Sequence, residues 1–232
     1  MRDAVVMAAG EGSRLRPLTE AWPKPVLPID GRAVIATLLR DLAGAGVERA
    51  YVVTGHLAEQ VEELVGDGAA FGLRVTFARQ PSVLGSADTV QRGIAAGAVP
   101  PLLVVAADTV FQPGDVQRFA AAAHGAAGAL AYRYEPPPDP PHRFGMRVVD
   151  GLVVNVLDRD PATTTSGAPL WALGAELVPW LEGLGGPPYE LSQAFDRAIA
   201  AGLEIKAIEV GKTRDLTHPA DLVRENFPYL ES

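Results

Sequence analysis

The chain has 232 residues, of which 48% are hydrophobic and 21% are charged, and it contains no cysteine. Its length suits one α/β domain over residues 1–232, and the lack of cysteine excludes disulfides, thiolate metal sites and a cysteine nucleophile. The formal net charge of −8 argues against nucleic acid and anionic membranes as partners, although local charge still permits an anionic small molecule.

The first predicted element is a buried strand over residues 4–8, which ends in a glycine-rich turn. Glycine has no Cβ, so backbone N–H groups at Gly10 and Gly12 can approach a ligand closely. Arg14 and Lys24 follow and add positive charge, which favours a phosphate chain as the ligand. For the two glycines alone, a turn beside solvated arginines is the simpler interpretation.

The motif is neither of the two commonest phosphate-binding loops, because Leu15 replaces the third Rossmann glycine and no Gly-Lys-Ser/Thr follows. The string from Ala8 to Thr19, followed by Pro23-Lys24-Pro25, instead resembles the signature of the sugar-1-phosphate nucleotidylyltransferases, also called nucleotide-sugar pyrophosphorylases. Ser13 stands where the family usually has threonine, so the hydroxyl is kept.

This resemblance implies an enzyme that transfers a nucleotidyl group from a nucleoside triphosphate (NTP) to a sugar 1-phosphate. It makes Arg14 and Lys24 catalytic, with Asp108 described below. In this segment the nucleotide-binding residues that it implies are Ala8, Ala9, Gly10, Gly12, Ser13 and Arg14.

The next elements alternate between helix and strand. Helical spacing over residues 34–43 stops at a glycine, a strand is predicted over 51–54, a helix over 58–65, and a strand over 74–78. This alternation predicts a Rossmann-like, doubly wound sheet that is mixed but mostly parallel. In such sheets ligands bind beyond the carboxyl ends of the strands.

The segment after the third strand, residues 80–90, leads into another predicted helix. It resembles the family segment that contacts the nucleotide base, which implies base contacts for Gln80, Gly85 and Ala87. The same pattern is compatible with a surface loop in which Ser86 is the N-cap of the helix.

Asp108 follows a buried apolar strand over residues 102–107. A carboxylate at the carboxyl end of such a strand points to the ligand crevice and can bind Mg²⁺ that bridges phosphates. The family has its first metal-binding aspartate here, after a glycine that Ala107 replaces in this chain. The alternative is a turn aspartate that caps the helix after Pro113.

The region over residues 130–190 is predicted to be a small sugar-facing β lobe. A proline-rich loop covers residues 134–143, and Asp150-Gly151 predicts a hairpin. The family has a Phe-Gly-Val segment at Phe144-Gly145, which implies that the Gly145 backbone lies near the sugar. Glu190, before a predicted helix that ends near residue 201, resembles a sugar contact but also suits the helix dipole.

The last strand is predicted over residues 204–210, and a helix starts at His218-Pro219, with Pro219 at its first position. Asp215 precedes this helix and matches the second metal-binding aspartate of the family. Together, Asp108 and Asp215 imply Mg²⁺ as cofactor.

The clearest departure from the family lies at Asp160-Pro161, where common members carry Glu-Lys-Pro with a lysine that holds the sugar phosphate. Three cations compete to replace it: Arg159, Lys212 and Arg214. Only three of the 20 basic residues are lysines. We predict that Lys212 binds the sugar phosphate, with a solvated lysine at a strand end as the equal alternative.

We therefore predict a magnesium-dependent enzyme that uses an NTP, with UTP or dTTP favoured, and a sugar 1-phosphate. The sequence shows no hexapeptide repeats of the β-helix that longer family members carry. The alternatives are cytidylyl or guanylyl transfer to another phosphorylated molecule, and a non-catalytic nucleotide-binding regulatory subunit. Without a membrane-spanning run or a signal-peptide pattern, we expect a cytoplasmic monomer or homodimer.

Overall fold

The computed structural model describes residues 1–135 and 145–227, so most of the proline-rich loop and Phe144 lie outside the described residues. The strands are β1 (Asp3–Ala8), β2 (Pro28–Ile29), β3 (Arg32–Ala33), β4 (Arg49–Thr54), β5 (Arg74–Arg79), β6 (Leu102–Ala106), β7 (Thr109–Val110), β8 (Gly128–Arg133), β9 (Gly145–Val149), β10 (Leu152–Asp158), β11 (Ser166–Leu173), β12 (Ile205–Glu209) and β13 (Arg214–Asp215).

The α-helices are α1 (Leu18–Ala21), α2 (Val34–Gly44), α3 (Ala58–Val65), α4 (Ser86–Ala95), α5 (Asp115–Ala122), α6 (Leu191–Ala200) and α7 (Pro219–Asn226). The helices predicted over residues 34–43 and 58–65 are present with nearly the same bounds, as α2 and α3, whereas α1 was not predicted. Short 3₁₀ turns cover Ser13–Leu15, Lys24–Val26, Ala69–Phe71 and Ala175–Leu181.

Nine strands form one mixed sheet in the order β5-β4-β1-β6-β11-β8-β12-β10-β9. The pairs β5–β4, β4–β1, β1–β6 and β8–β12 are parallel. Because β11 is antiparallel to both β6 and β8, and β10 to both β12 and β9, these two strands alone run against the other seven. The predicted mixed, mostly parallel, doubly wound sheet is confirmed.

Helices cover both faces of the sheet because consecutive residues of each central strand are buried on opposite sides. In β1, Val6 joins an apolar cluster with residues of α2, α3 and α5, whereas Val5 joins a second cluster with residues of α4 and α6. This arrangement leaves the carboxyl ends of β1, β4, β5 and β6 free to form one ligand-facing edge.

A small two-stranded sheet lies beyond β6, and a hairpin forms the far end of the main sheet, where the strand order closes with β10 and β9. The strands β7 and β13 pair antiparallel just beyond β6, with Asp215 opposite Thr109. The predicted hairpin is present as β9 and β10, joined by Asp150 and Gly151, and β9 also pairs with β11.

The helix starts show one agreement and one difference. His218 and Asp221 form a capping box at the start of α7, and Pro219 is its first residue, as predicted. Ser86 is the first residue of α4 rather than its N-cap, which is Gly85. The Ser86 hydroxyl oxygen accepts the N–H of Leu191 at 2.7 Å, and the hydroxyl donates to Glu190 at 2.5 Å. Within the described residues, none of the helices has both the length and the apolar character needed to cross a membrane.

Candidate active site

A cavity of about 270 Å³ opens at the carboxyl ends of β1 and β6. Its wall combines the glycine-rich turn, a lysine, an aspartate and the segment that precedes α7. The lining residues are Met7, Ala8, Gly10, Gly12, Ser13, Arg14, Leu15, Lys24, Pro25, Ala106, Asp108, Leu216 and Thr217.

The glycine-rich turn supplies unpaired donors to this cavity. Within residues 1–135 and 145–227, the N–H groups of Gly10 and Gly12 donate no hydrogen bond. Gly12 has a φ of 62°, a left-handed conformation that favours glycine, and its carbonyl accepts a hydrogen bond from Thr19 Oγ1 at 3.0 Å. The turn therefore presents oriented backbone dipoles that can hold an anion.

Two cations lie beside these donors. Arg14 is exposed and forms no ion pair with another described residue, whereas Arg16 pairs with Glu11 at 3.5 Å. The Lys24 side chain is only 11% exposed, and its Nζ lies 2.6 Å from Oδ2 of Asp108. The cavity thus has one exposed positive charge that is not ion-paired and one nearly buried positive charge that is paired with Asp108.

The two predicted metal ligands lie on neighbouring segments although they are distant in sequence. Asp108 lies two residues beyond β6 with its side chain 35% exposed, and the next residue, Thr109, pairs with Asp215 across β7 and β13. Asp215 does not line the cavity itself, and its Oδ2 accepts a hydrogen bond from Thr217 Oγ1 at 2.8 Å.

This donor set fits Mg²⁺, which is commonly held by one or two carboxylates together with substrate phosphates. The described residues contain no cluster of three or more histidines or acids that would form a complete protein site. A metal at Asp108 and Asp215 would therefore need phosphate oxygens and water to complete its coordination.

The Arg214 side chain does not line the cavity, because ion pairs hold it elsewhere. Its guanidinium pairs with Asp30 and with Glu225, each at 2.5 Å, and the hydrogen bond with Asp30 is the main cause that raises the pKa of Arg214. Of the three cations considered for the sugar phosphate, Arg214 is thus already paired, and these ion pairs hold the backbone next to Asp215 in place.

The predicted base segment lies beside the glycine-rich turn rather than in the cavity wall. A Cβ at Gly55 would lie 2.7 Å from the carbonyl oxygen of Ala9 and 2.9 Å from that of Gln80, which places these two segments next to each other. Ala87 is fully buried, and its N–H donates to the carbonyl of Tyr189 at 2.9 Å. Ala87 therefore supports this segment from the core.

Gly85 is where the base segment meets the segment before α6. Its φ is 105°, and a Cβ there would lie 2.3 Å from the carbonyl oxygen of Tyr189. We predict that Gly85→Ala lowers the free energy of unfolding by about 2–4 kcal/mol, from backbone strain plus the clash, and weakens NTP binding.

The matched control for this change is Gly46→Ala. Gly46 has a φ of 84° but open space around its Cβ position, so only the strain of about 1 kcal/mol is expected. Chemical denaturation and calorimetric NTP titration measure both effects. Equal losses of stability in the two variants would contradict the close contact with Tyr189.

The residues predicted for the sugar phosphate occupy three separate places, and none of them lines the first cavity. Gly145 is buried at the start of β9, where a Cβ would lie 2.8 Å from Cγ2 of Thr163. Glu190 immediately precedes α6 and accepts the Ser86 hydroxyl hydrogen bond. Lys212 lines a second cavity of about 390 Å³, beside Arg133 at the end of β8.

The departure at Asp160 has a structural explanation. Oδ1 of Asp160 accepts the N–H of Ala162 at 2.9 Å, and its carbonyl accepts the N–H of Thr163 at 3.0 Å, so this residue forms a turn. The preceding Asp158 is buried, and the hydrogen bond from Thr163 is the main cause that lowers its pKa. Arg159 is exposed and lies beyond the end of β10, so strand alternation does not determine its direction.

Thr19 and Thr217 are site residues that the sequence analysis did not single out. The Thr19 hydroxyl holds the carbonyl of Gly12, and Thr217 lines the cavity and bonds to Asp215. The sequence offered two signals for them: Thr19 ends the signature string, and Thr217 follows Asp215 by two residues.

The comparisons with known proteins point to one family. The family model for nucleotidyl transferase matches residues 3–161. The low-salt glycan biosynthesis nucleotidyltransferase Agl11 of Haloferax volcanii is 27% identical over 238 residues, and the match covers 98% of this chain. N-acetylmuramate alpha-1-phosphate uridylyltransferase of Neisseria meningitidis serogroup B is 37% identical over 79 residues, or 34% of this chain. The matches cover 66% and 34% of the lengths of these two relatives.

Among solved structures, the inositol-1-phosphate CTP transferase of T. maritima has a TM-score of 0.83 against this chain. The sequences are 20% identical, and the match covers 100% of this chain and 94% of that one. This likeness shows that the two chains share a fold.

Proposed function

Because the chain belongs to the nucleotidyl transferase family, we propose that it transfers a nucleotidyl group from an NTP to a sugar 1-phosphate and releases pyrophosphate, with UTP or dTTP as the preferred donor. The observation that carries this proposal is the single cavity in which the unpaired N–H groups of Gly10 and Gly12 lie beside Arg14, Lys24 and Asp108. Positive charge and backbone donors at one site suit a triphosphate.

The reaction needs positioning and charge neutralisation rather than a nucleophilic side chain. An oxygen of the sugar phosphate, already ionised, forms a bond to the α-phosphorus of the NTP. The bond from the α-phosphorus to the bridging oxygen breaks, and the electron pair leaves with pyrophosphate. The balance requires no protein proton, which agrees with a cavity whose charged groups are a guanidinium, an ammonium and a carboxylate.

Each residue has a distinct role in this proposal. The Gly10 and Gly12 N–H groups and Arg14 bind the β- and γ-phosphates and so stabilise the departing pyrophosphate. Lys24, which is nearly buried, contacts the α-phosphate where negative charge develops. Asp108 and Asp215 would hold Mg²⁺, which neutralises phosphate charge when bound.

Glu190 and Gly145 belong to the acceptor side. The Glu190 carboxylate is bonded to Ser86, so it joins the base segment to the acceptor segment. Gly145 allows close approach of β9 to the turn at Thr163, which borders the β lobe. We propose that the sugar lies between these elements and the cavity.

Pyrophosphate release with a matrix of five NTPs and common sugar 1-phosphates tests the proposal. We expect turnover with at least one pair, highest with UTP or dTTP. Binding of NTP without turnover on any phosphorylated acceptor would favour a regulatory subunit, and neither binding nor turnover would reject the proposal.

A second candidate function is nucleotidyl transfer to another phosphorylated small molecule. It is favoured by Asp160, which stands where the family's sugar-phosphate lysine is expected. The same assay with inositol 1-phosphate and choline phosphate distinguishes the two candidate functions. Turnover with these acceptors and with no sugar 1-phosphate would show that the acceptor is not a sugar phosphate.

Lys212→Ala tests the acceptor phosphate contact. The Lys212 ammonium lines the second cavity and is not paired with any described carboxylate. Loss of a hydrogen bond between charged groups is expected to raise the KM for sugar phosphate about 10- to 100-fold and to leave the KM for NTP nearly unchanged. Steady-state kinetics with each substrate varied in turn give both constants.

Two variants control this prediction. Lys206→Ala removes an exposed lysine whose Nζ donates to the carbonyl of Ala122, and we expect no change in either KM. If Arg159→Ala raises the KM for sugar phosphate while Lys212→Ala does not, then Arg159 rather than Lys212 binds the sugar phosphate.

A further inference from the structure

The connection between β4 and α3 contacts the chain on both sides of the glycine-rich turn. Before the turn, a Cβ at Gly55 would lie 2.7 Å from the carbonyl oxygen of Ala9, so this close approach requires glycine, and the N–H of His56 donates to the same carbonyl at 3.4 Å. After the turn, Nε2 of His56 lies 2.6 Å from the carbonyl oxygen of Thr19. His56 therefore bridges the two segments from which the turn extends.

The contact between His56 and Thr19 has a defined direction. A carbonyl oxygen only accepts hydrogen bonds, so Nε2 carries the proton and donates it. Thr19 passes the restraint on, because its hydroxyl donates to the carbonyl of Gly12 at 3.0 Å. One chain of hydrogen bonds thus runs from His56 through Thr19 to Gly12, which lines the cavity.

The surroundings of this chain of hydrogen bonds keep it away from water. Thr19 is buried, and His56 is half-buried between the end of β4 and the segment that contains Thr19. A carbonyl that loses its donor in such a place is left unpaired, since water does not readily replace the donor. The His56 hydrogen bond therefore matters more than one at an exposed position.

The backbone beside His56 is held in an unfavourable conformation. Leu57 has a φ of 48° and a ψ of 40°, a left-handed conformation that a Cβ disfavours. Among the described residues, the other non-glycine residues with positive φ are Asp30 and Asp150, and each of these is followed by a glycine in a turn. Leu57 is followed directly by α3. Such strain persists only where the surrounding structure fixes the backbone, which is the condition for a rigid support.

We propose that His56 is a positioning residue: it holds Thr19, and through it Gly12, so that the glycine-rich turn is ordered before the NTP binds. Neither His56 nor Thr19 lines the cavity, so both act through the turn. This inference rests on the proposed function, because the turn is the part of the site assigned to the phosphates of the NTP.

Ordering of the turn should act on NTP affinity. Without the His56 hydrogen bond, the turn of the free protein populates other conformations, and the apparent Kd rises by the inverse of the fraction that can still bind. Leaving a buried carbonyl unpaired corresponds to a factor of about 5 to 100 in Kd. Bound NTP holds the turn through its own contacts, so kcat at saturating NTP should change less than about threefold.

Calorimetric titration of the whole protein with the magnesium complexes of UTP, dTTP, CTP, GTP and ATP identifies the tightest ligand and tests the proposal. His56→Leu should raise the Kd of that nucleotide about 5- to 100-fold. His56→Gln, whose amide can donate from the place of Nε2, should restore most of the affinity. His124→Leu, which changes an exposed histidine after α5, should bind like the wild-type protein. Thermal unfolding checks that every variant is folded.

The path through Thr19 has its own test. Thr19→Val keeps the shape of the side chain but removes the hydroxyl that holds Gly12, and it should weaken NTP binding by itself. Adding His56→Leu should then cost clearly less than it costs in the wild-type protein, because the link from Thr19 to Gly12 is already lost. If the two increases in Kd simply multiply, the residues act independently and the proposed path is wrong.

A measurement on the wild-type protein complements these variants. Nitrogen-15 NMR of the protein labelled at its four histidines reports which ring nitrogen carries the proton, and the signal that is absent in His56→Gln belongs to His56. We expect a proton on Nε2, because this nitrogen faces the Thr19 carbonyl. A proton on Nδ1 alone would contradict the hydrogen bond on which the proposal depends.

The nucleotide titrations distinguish this inference from the proposed function. A His56→Leu variant that binds as tightly as the wild-type protein, or a His56→Gln variant that binds no better than His56→Leu, overturns the inference and leaves the proposed function standing. A wild-type protein that binds none of the five nucleotides overturns both.

Discussion

Asp108→Asn is expected to lower kcat by about 10³-fold while the protein remains folded. The change keeps the size of the side chain but removes the charge that pairs with Lys24 at 2.6 Å and that would hold Mg²⁺ with Asp215. The loss should appear in kcat, because the Asp108 carboxylate lines the cavity where the phosphates would bind. Pyrophosphate release measures kcat, and circular dichroism checks the fold.

Metal binding separates the two explanations for such a loss. If Asp108 is a metal ligand, Mn²⁺ titration followed by electron paramagnetic resonance, with a non-hydrolysable NTP analogue present, should show weaker metal binding in Asp108→Asn and in Asp215→Asn. Glu63→Gln, which changes an exposed carboxylate on α3, serves as the control. Normal Mn²⁺ affinity together with low activity would reduce Asp108 to the partner of Lys24.

Lys24→Arg is expected to lower kcat by about 100-fold, with a smaller change in the KM for NTP. Lys24 lies between Pro23 and Pro25 at a 3₁₀ turn, and its side chain is only 11% exposed against Asp108. A planar guanidinium is larger than an ammonium and directs its hydrogen bonds differently, so it cannot take the same place beside the carboxylate. The loss should appear in kcat because the charge acts on the reacting phosphate.

The matched control is Lys206→Arg, since this exposed lysine on β12 contacts only a backbone carbonyl among the described residues. Steady-state kinetics on both variants give kcat and KM. Unchanged kinetics in Lys24→Arg would mean that Lys24 serves the fold alone.

The sequence by itself determined the fold class and pointed to the contiguous part of the candidate site. Apolar periodicity and a terminal glycine predicted α3 with the bounds that the structure has, Ala58–Val65, because such local signals act within one turn. The turn from Gly10 to Arg14 was likewise readable, since a strand that ends in glycines and is followed by cations is a local pattern.

Only the tertiary structure decided the partners of residues that are distant in sequence. No local pattern reveals that Arg214 is paired with Asp30 and Glu225, or that the Glu190 carboxylate bonds to Ser86. Such partners are set by which loops the sheet order brings together, as when β7 and β13 place Asp215 opposite Thr109. A charged side chain whose sequence allows several partners bonds to whichever group the folded backbone places within reach, and this choice follows from the packing of the whole chain.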